Sequence, residues 1–150
     1  NFKSKRCQDC GFTYYANPCS ATAAFILNDR DELLVVRRAK EPAKGTLDLP
    51  GGFSDCFETS EEGVAREVLE ETGLTVERVE FLFSLPNQYL YSGFLVHTID
   101  MFYRCYVSGD TTTAHAADDA AELLWMRPDE LHPEDFGLLS IRAGVAKLLV

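Results

Sequence analysis

The segment from Ser60 to Thr72 constrains this chain most, because its periodicity predicts a helix whose polar face carries three neighbouring carboxylates. Either Thr59 or Ser60 can cap the start of this helix, and Gly73 can end it. A helical projection predicts an apolar sector made of Val64, Ala65, Val68 and Leu69, and an opposite side made of Arg66, Glu67, Glu70 and Glu71.

The three glutamates on that side repel one another, since Glu70 and Glu71 each lie one helical turn from Glu67. Surface helices usually interleave lysines at such positions, whereas this helix offers only Arg66. A cluster of carboxylate oxygens suits a hard cation such as Mg²⁺ or Mn²⁺. A solvated acidic helix face is the alternative interpretation.

The loop before the helix favours the cation site. Gly51 and Gly52 follow Pro50, and a glycine pair allows the backbone to approach a ligand closely. Glu58 stands between this loop and the helix, where a two-pronged contact with Arg66 would hold the loop against the carboxylates. The sequence therefore predicts a site at the junction of loop and helix.

Residues 52–74 resemble the Nudix box, G-x5-E-x7-R-E-U-x-E-E-x-G-U with U aliphatic, without a mismatch. On this resemblance the chain is identified as a Nudix hydrolase, which cuts a diphosphate linkage in a nucleoside diphosphate joined to another group. The implied fold is α+β, an α/β/α sandwich around a mixed sheet, over residues 19–150. Two alternatives are a Nudix-fold sensor that binds a nucleotide without cutting it and a nucleoside triphosphate pyrophosphatase.

The resemblance also implies the role of each residue. Glu67, Glu70 and Glu71 would bind Mg²⁺ or Mn²⁺, and the Gly51 carbonyl would be a further ligand. Asp119, in a later acidic loop, is a candidate for an additional metal ligand, with ordinary surface acidity as the alternative. Glu67 is the candidate general base. The residues expected to organise the catalytic site are Glu58 and Arg66.

Residues 84–92 (SLPNQYLYS) resemble a degraded form of the S-Q-P-W-P-F-P-x-S array of NADH pyrophosphatases. This suggests a substrate such as NADH or an ADP-ribose-like compound. Tyr89 and Tyr91 could stack on a base, although tyrosines of the core or rim would look the same. Arg38 belongs to a basic cluster that either meets substrate phosphates or is ordinary charge on an edge strand.

Residues 1–18 are interpreted as a turn-rich leader outside the main core. Cys7 and Cys10 resemble half of the zinc ribbon that precedes the Nudix domain in the same branch. A structural zinc needs four ligands, so zinc is expected only if the natural chain supplies two more. The odd total of five cysteines favours reduced thiols and a cytoplasmic location.

Charge and hydropathy limit the partners. The net charge of −10 repels nucleic acid, so none is expected, and a nucleotide small molecule is the expected partner. The longest apolar run, residues 23–27, is far shorter than the ~18 residues that cross a bilayer, so no membrane segment is expected. A homodimer is possible.

The remaining segments predict a mixed α+β pattern. Residues 20–27 and 33–36 flank a turn and predict a β-hairpin. Residues 75–85 and Phe94–Val107 predict two long strands, and residues 140–150 predict a closing helix.

Overall fold

The computed structural model of the protein describes residues 3–150. Its two α-helices are α1 (Ser60–Thr72) and α2 (Leu139–Leu148). Its strands are β1 (Ser4–Arg6), β2 (Thr13–Tyr15), β3 (Cys19–Phe25), β4 (Leu33–Arg38), β5 (Leu47–Asp48), β6 (Val76–Tyr91), β7 (Phe94–Val107) and β8 (Ala120–Met126). Neither helix in this part of the chain has the length and hydrophobicity needed to cross a membrane.

Two three-stranded sheets form the centre of the molecule. In the first sheet β7 lies between β3, to which it is parallel, and β6, to which it is antiparallel. In the second sheet β4 lies between β5 and β8 and is antiparallel to both. The predicted α+β class with mixed strand directions is confirmed.

The helices cover opposite faces of these strands. Val64 and Val68 of α1 pack with Ala24, Ile26, Leu34, Leu74, Tyr103 and Cys105 in one buried cluster. Ile141 and Val145 of α2 pack with the alternate strand residues, including Ala23, Phe25, Val35 and Phe102. Successive strand residues point to opposite faces, so β3 contributes to both clusters. The result is the expected α/β/α sandwich.

The hairpin predicted over residues 20–36 forms only beside its turn, where Leu27 and Leu33 make an isolated antiparallel bridge and the Leu34 N–H donates to the Ile26 carbonyl at 2.9 Å. The turn itself forms, because the Asn28 side-chain oxygen accepts the N–H groups of Arg30 and Glu32 at 3.0 and 2.9 Å. Beyond the turn β3 and β4 separate into different sheets. The edge of β3 that would face β4 is occupied instead by residues 50–54, so the two strands diverge around that loop.

The long hairpin of β6 and β7 extends further than the sequence predicts. Strand β6 continues to Tyr91, so residues 84–91 are strand, and Ser92 and Gly93 turn the chain with φ of 51° and 79°. Positive φ at both central residues is the geometry that suits a two-residue hairpin. The register sets Asn87 opposite Thr98.

The segment interpreted as a leader has structure of its own. Strands β1 and β2 form a two-stranded antiparallel sheet, separate from the other two sheets. Cys7 and Cys10 lie in the turn between these strands, and both are exposed free thiols. Residues 1 and 2 of the predicted leader lie outside the described residues. The division between residues 18 and 19 stays a prediction.

Candidate active site

The glycine loop is held along the free edge of β3. Thr22 and Ala24 donate their N–H groups to the carbonyls of Gly52 and Pro50, both at 2.8 Å. Gly51, between these carbonyls, has φ of 153°, and a Cβ there would lie 2.0 Å from the Thr22 carbonyl oxygen. A Cβ at Gly52 would lie 2.8 Å from Glu67 Cδ. Gly51 therefore requires glycine, because its backbone touches that of β3, whereas a side chain at position 52 would displace the Glu67 carboxylate.

Helix α1 begins and ends where the sequence predicts. The Thr59 hydroxyl accepts the N–H of Glu62 at 3.0 Å, and the N–H of Gly73 donates to the Leu69 carbonyl at 2.9 Å. The prediction that Leu69 belongs to the apolar sector is wrong, because Leu69 is half exposed and does not join the core with Val64 and Val68. Glu71 turns inward instead, so the buried stripe of the helix is displaced toward the carboxylates.

Arg66 connects the loop to the helix. Its Nε and Nη2 atoms donate to the two oxygens of Glu58 at 3.0 and 2.8 Å, which is the predicted two-pronged contact. Its Nη2 also donates to the Phe53 carbonyl at 3.1 Å. Its Nη1 donates to Glu67 at 2.9 Å and to Glu70 at 3.2 Å. One guanidinium thus holds the loop backbone and three carboxylates together.

The three helix carboxylates differ in their burial. Glu71 is only 8% exposed, and it accepts the N–H of Gly51 at 3.3 Å. The side chain of Glu67 is 14% exposed and that of Glu70 is 44% exposed. Within residues 3–150 no three acidic, cysteine or histidine side chains already converge as a metal site. The reason is visible in the contacts, since Glu67 and Glu70 face Arg66 while Glu71 faces the loop.

Burial and pairing separate the pKa values of these groups. The pKa of Glu71 is raised to about 9, mainly by burial and also by the nearby charges of Glu67 and Asp48. Burial also raises the pKa of Glu67, although Arg66 opposes this. Hydrogen bonds from Arg66 and from the Asp55 N–H lower the pKa of Glu58 to about 2. Glu58 is therefore a permanent anion, whereas Glu71 holds its proton at neutral pH without a cation.

The acidic loop before β8 reaches the same site. The N–H groups of His115 and Ala117 donate to carbonyls at the end of α1 at 3.0 and 3.1 Å. These bonds bring Asp118 and Asp119 to the cavity that Glu67 also lines. Asp119 forms an ion pair with Lys40 at 2.5 Å. Of the two acids, the sequence singled out only Asp119, and Asp118 joins it in the cavity lining.

A cavity of about 670 Å³ is lined by four carboxylates of this region, those of Glu67, Glu71, Asp118 and Asp119. Arg38 lines it and donates to Asp48 at 2.6 Å, to the Pro42 carbonyl at 2.7 Å and to the Tyr89 hydroxyl at 3.2 Å. Tyr89 and Tyr91 form the rim with Phe53, whose ring stands perpendicular to that of Tyr89 with centroids 5.6 Å apart. All three residues predicted to bind substrate therefore line one cavity.

The deep end of this cavity contains polar residues that the sequence did not single out. They are Asp48, Asn87, Thr98 and Asp100. Burial raises the pKa of Asp48, although its Arg38 partner opposes this. The missed signal is strand alternation, because Asn87, Tyr89 and Tyr91 share one face of β6 while Ser84, Pro86 and Gln88 lie exposed on the other. The resemblance of residues 84–92 to the array did not distinguish the cavity face of β6 from its exposed face.

The chain resembles known proteins over most of its length. Residues 17–144 match the family model described as the NUDIX domain. An ADP-ribose pyrophosphatase of Methanocaldococcus jannaschii is 44% identical over 79 residues, covering 51% of this chain and 46% of that protein. The NAD-capped RNA hydrolase NudC of Shigella dysenteriae is 30% identical over 147 residues, covering 96% of this chain and 51% of that protein. This chain thus spans about half the length of each of these relatives.

A solved structure has a similar fold. The crystal structure of a NUDIX hydrolase from Nitrosomonas europaea superposes with a TM-score of 0.73 at 23% sequence identity. The superposition covers 96% of this chain and 77% of that one. At this identity the likeness concerns the fold, including the sandwich of strands between α1 and α2.

Proposed function

The chain belongs to the NUDIX domain family, and on that premise we propose that it hydrolyses the diphosphate linkage of a nucleoside diphosphate joined to a second group. The proposed substrates are a dinucleotide such as NADH or an ADP-ribose-like compound. The observation that carries the proposal is the lining of one cavity. The carboxylates of Glu67 and Glu71 line it together with the aromatic rings of Phe53, Tyr89 and Tyr91.

The volume of this cavity suits such a compound. About 670 Å³ lies within the ~300–1,000 Å³ usual for small-molecule sites. The carboxylate end would take the diphosphate together with a cation, and the rim would take a ring system. Arg38 supports this arrangement, because its guanidinium carbon lies 5.9 Å from the Tyr89 ring centroid and its hydrogen bonds to Pro42, Asp48 and Tyr89 use three of its five N–H groups.

The donor set fits Mg²⁺ or Mn²⁺. Glu67, Glu70 and Glu71 would hold the ion with the Gly51 carbonyl, and Asp119 is a further candidate ligand. Hard cations prefer oxygen ligands. The positive charge of a cation beside Glu71 would favour the ionised form of its carboxyl. When bound, such an ion supplies charge neutralisation on the diphosphate and a more acidic water.

The side chains of the protein would supply the general base and hold the site in position. Glu67 is the proposed general base, because burial brings the pKa of its carboxyl closer to neutral than that of an exposed glutamate. Its carboxylate would accept the proton of the attacking water. Arg66 and Glu58 would act as positioning residues, since they fix the loop backbone against Glu67. Lys40 would keep Asp119 at the cavity mouth.

A substrate panel tests this proposal. We expect Mg²⁺-dependent hydrolysis of NADH or ADP-ribose, with both products identified by mass spectrometry and with Glu67→Gln as the matched inactive control. A nucleoside triphosphate cleaved tenfold better in kcat/KM would favour the triphosphate pyrophosphatase. Tight binding without hydrolysis of any compound would favour a sensor, a role that the full set of box carboxylates argues against.

A second candidate substrate is an NAD-capped RNA. The named activity of the NudC relative, whose alignment covers 96% of this chain, favours it. The net charge of −10 opposes extended contact with RNA, so we expect the free dinucleotide to be the better substrate. An NAD-capped oligonucleotide added to the panel decides between them. A cytoplasmic location and a homodimer stay part of the proposal and are tested by fractionation and by light scattering.

A further inference from the structure

The inner end of the cavity is a buried polar floor, which we define as Asn87, Thr98, Asp100 and Asp48. Asn87 on β6 and Thr98 on β7 are register partners, and strand alternation turns Asp100 to the same face. Asn87, Thr98 and Asp100 are 7%, 3% and 6% exposed. All four residues line the same cavity as the proposed catalytic carboxylates.

Most polar groups of this floor are already paired. Thr98 donates its hydroxyl to Asp100 at 2.7 Å, and the Ser140 hydroxyl donates to the other oxygen of Asp100. Asp48 accepts hydrogen bonds from Arg38 and from the N–H of Leu49. The Thr98 hydroxyl donor is therefore committed, and both carboxylates of the floor already accept hydrogen bonds.

Asn87 is the exception. Its Oδ1 atom is enclosed and receives no hydrogen bond from any group within residues 3–150. Buried polar atoms are nearly always paired in proteins, and an unpaired one destabilises the fold. An orphaned acceptor at the inner end of an open cavity is explained if a bound molecule brings the missing donor.

We propose that the polar floor is a specificity subsite that recognises an N–H donor on a planar ring of the substrate, with Asn87 Oδ1 as the acceptor. This inference rests on the proposed function. Tyr89 lies two residues along β6 and Phe53 stands beside it, so the floor lies beneath an aromatic rim suited to a flat ring. The carboxylates of Asp48 and Asp100 disfavour an anionic ring substituent.

Two groups of a dinucleotide supply this chemistry, the carboxamide of a nicotinamide ring and the exocyclic amine of an adenine. Two analogues separate them. Reduced 3-acetylpyridine adenine dinucleotide replaces the amide nitrogen with a methyl group, and reduced nicotinamide hypoxanthine dinucleotide replaces the adenine amine with a carbonyl. A site that accepts a hydrogen bond from a substrate N–H discriminates strongly against analogues without that N–H, because its acceptor is then left unpaired.

In the presence of Mg²⁺ we expect the kcat/KM of the wild-type protein for one analogue to be at least tenfold lower than for NADH. The kcat/KM for the other analogue should equal that for NADH. Asn87→Ala should treat NADH and the discriminated analogue alike within about twofold. Gln88→Ala is the matched control, because its side chain is exposed on the opposite face of β6 and discrimination should persist. Asn87→Ser replaces Asn87→Ala if the melting temperature shows that the alanine variant is unfolded.

Discrimination that survives in the folded Asn87 variant would overturn the proposal, as would wild-type hydrolysis of all three compounds within twofold. The Kd values of the same three dinucleotides, measured by calorimetry in EDTA, separate the two proposals. If nothing is hydrolysed but tenfold discrimination in Kd depends on Asn87, the subsite stands and the proposed hydrolysis fails. Equal Kd values, or no binding, would overturn the subsite.

Discussion

Glu71→Gln is expected to make the stability of the metal-free protein less dependent on pH. The side chain is 8% exposed, and burial raises the pKa of its carboxyl from 4.5 to about 9. Between these values the unfolded chain has released the proton that the native chain retains. The free energy of unfolding therefore falls as pH rises through this window, by ~1.4 kcal/mol per pH unit for one group.

Between pH 6 and pH 8 this single carboxyl accounts for a loss of roughly 3 kcal/mol in the free energy of unfolding. A glutamine has nearly the same shape, can accept the Gly51 N–H and does not ionise, so this loss should disappear in the variant. Mg²⁺ should reverse the wild-type trend, because ionised Glu71 is the form that binds a cation and its proton must leave. The apparent Mg²⁺ affinity should thus rise with pH below about 9.

Urea unfolding in EDTA at pH 6, 7 and 8 measures the effect, with the fluorescence of Trp125, the single tryptophan, as the signal. Glu70→Gln is the matched control on the same helix, because its side chain is 44% exposed and the substitution leaves the buried Glu71 in place, so the fall in stability with pH should persist. Parallel pH slopes for the wild type and Glu71→Gln would refute the assignment of Glu71 as a buried neutral carboxyl. An unchanged Mg²⁺ response in Glu71→Gln would remove it from the ligand set.

Glu67→Gln should lower kcat by at least ~10²-fold at saturating Mg²⁺ with an unchanged circular dichroism spectrum. If Glu67→Gln keeps a near-normal kcat and Asp119→Asn is inactive, the general base lies outside α1. Arg66→Lys keeps the charge but loses the two-pronged contact with Glu58, so both kcat and the melting temperature should fall. An unchanged melting temperature would contradict that positioning role. Gly52→Ala puts a Cβ 2.8 Å from Glu67 Cδ, so it should weaken the Mg²⁺-induced rise in melting temperature, and an equal rise would contradict the close approach.

The sequence by itself determined the helix that carries the three glutamates. The bounds of α1, its end at Gly73 and the Arg66 contact with Glu58 match the prediction, and its cap is Thr59, one of the two residues that the sequence allows. These features depend on residues close together in the chain, where helical periodicity, capping and short loops dictate geometry with little outside influence. The sandwich architecture also followed, because the motif resemblance carried it.

Tertiary structure decided which side chains of this segment are buried. Glu71 and Leu69 exchange the places that a helical projection gives them, because the loop after β7 and the Gly51 backbone pack against one side of α1. Local periodicity defines a face but not the partner that covers it. Only the folded molecule therefore distinguishes a buried carboxyl from an exposed one.

Long-range pairing decided the rest. Whether β3 joins β4 or β7, and which residues of β6 face the cavity, depends on register between segments far apart in the chain. A shift of one residue would turn Asn87 outward and Gln88 inward, and nothing in the local sequence forbids either. The polar floor of the cavity is thus a property of strand pairing, whereas the Glu67 and Glu71 carboxylates that line the same cavity are a property of one helix.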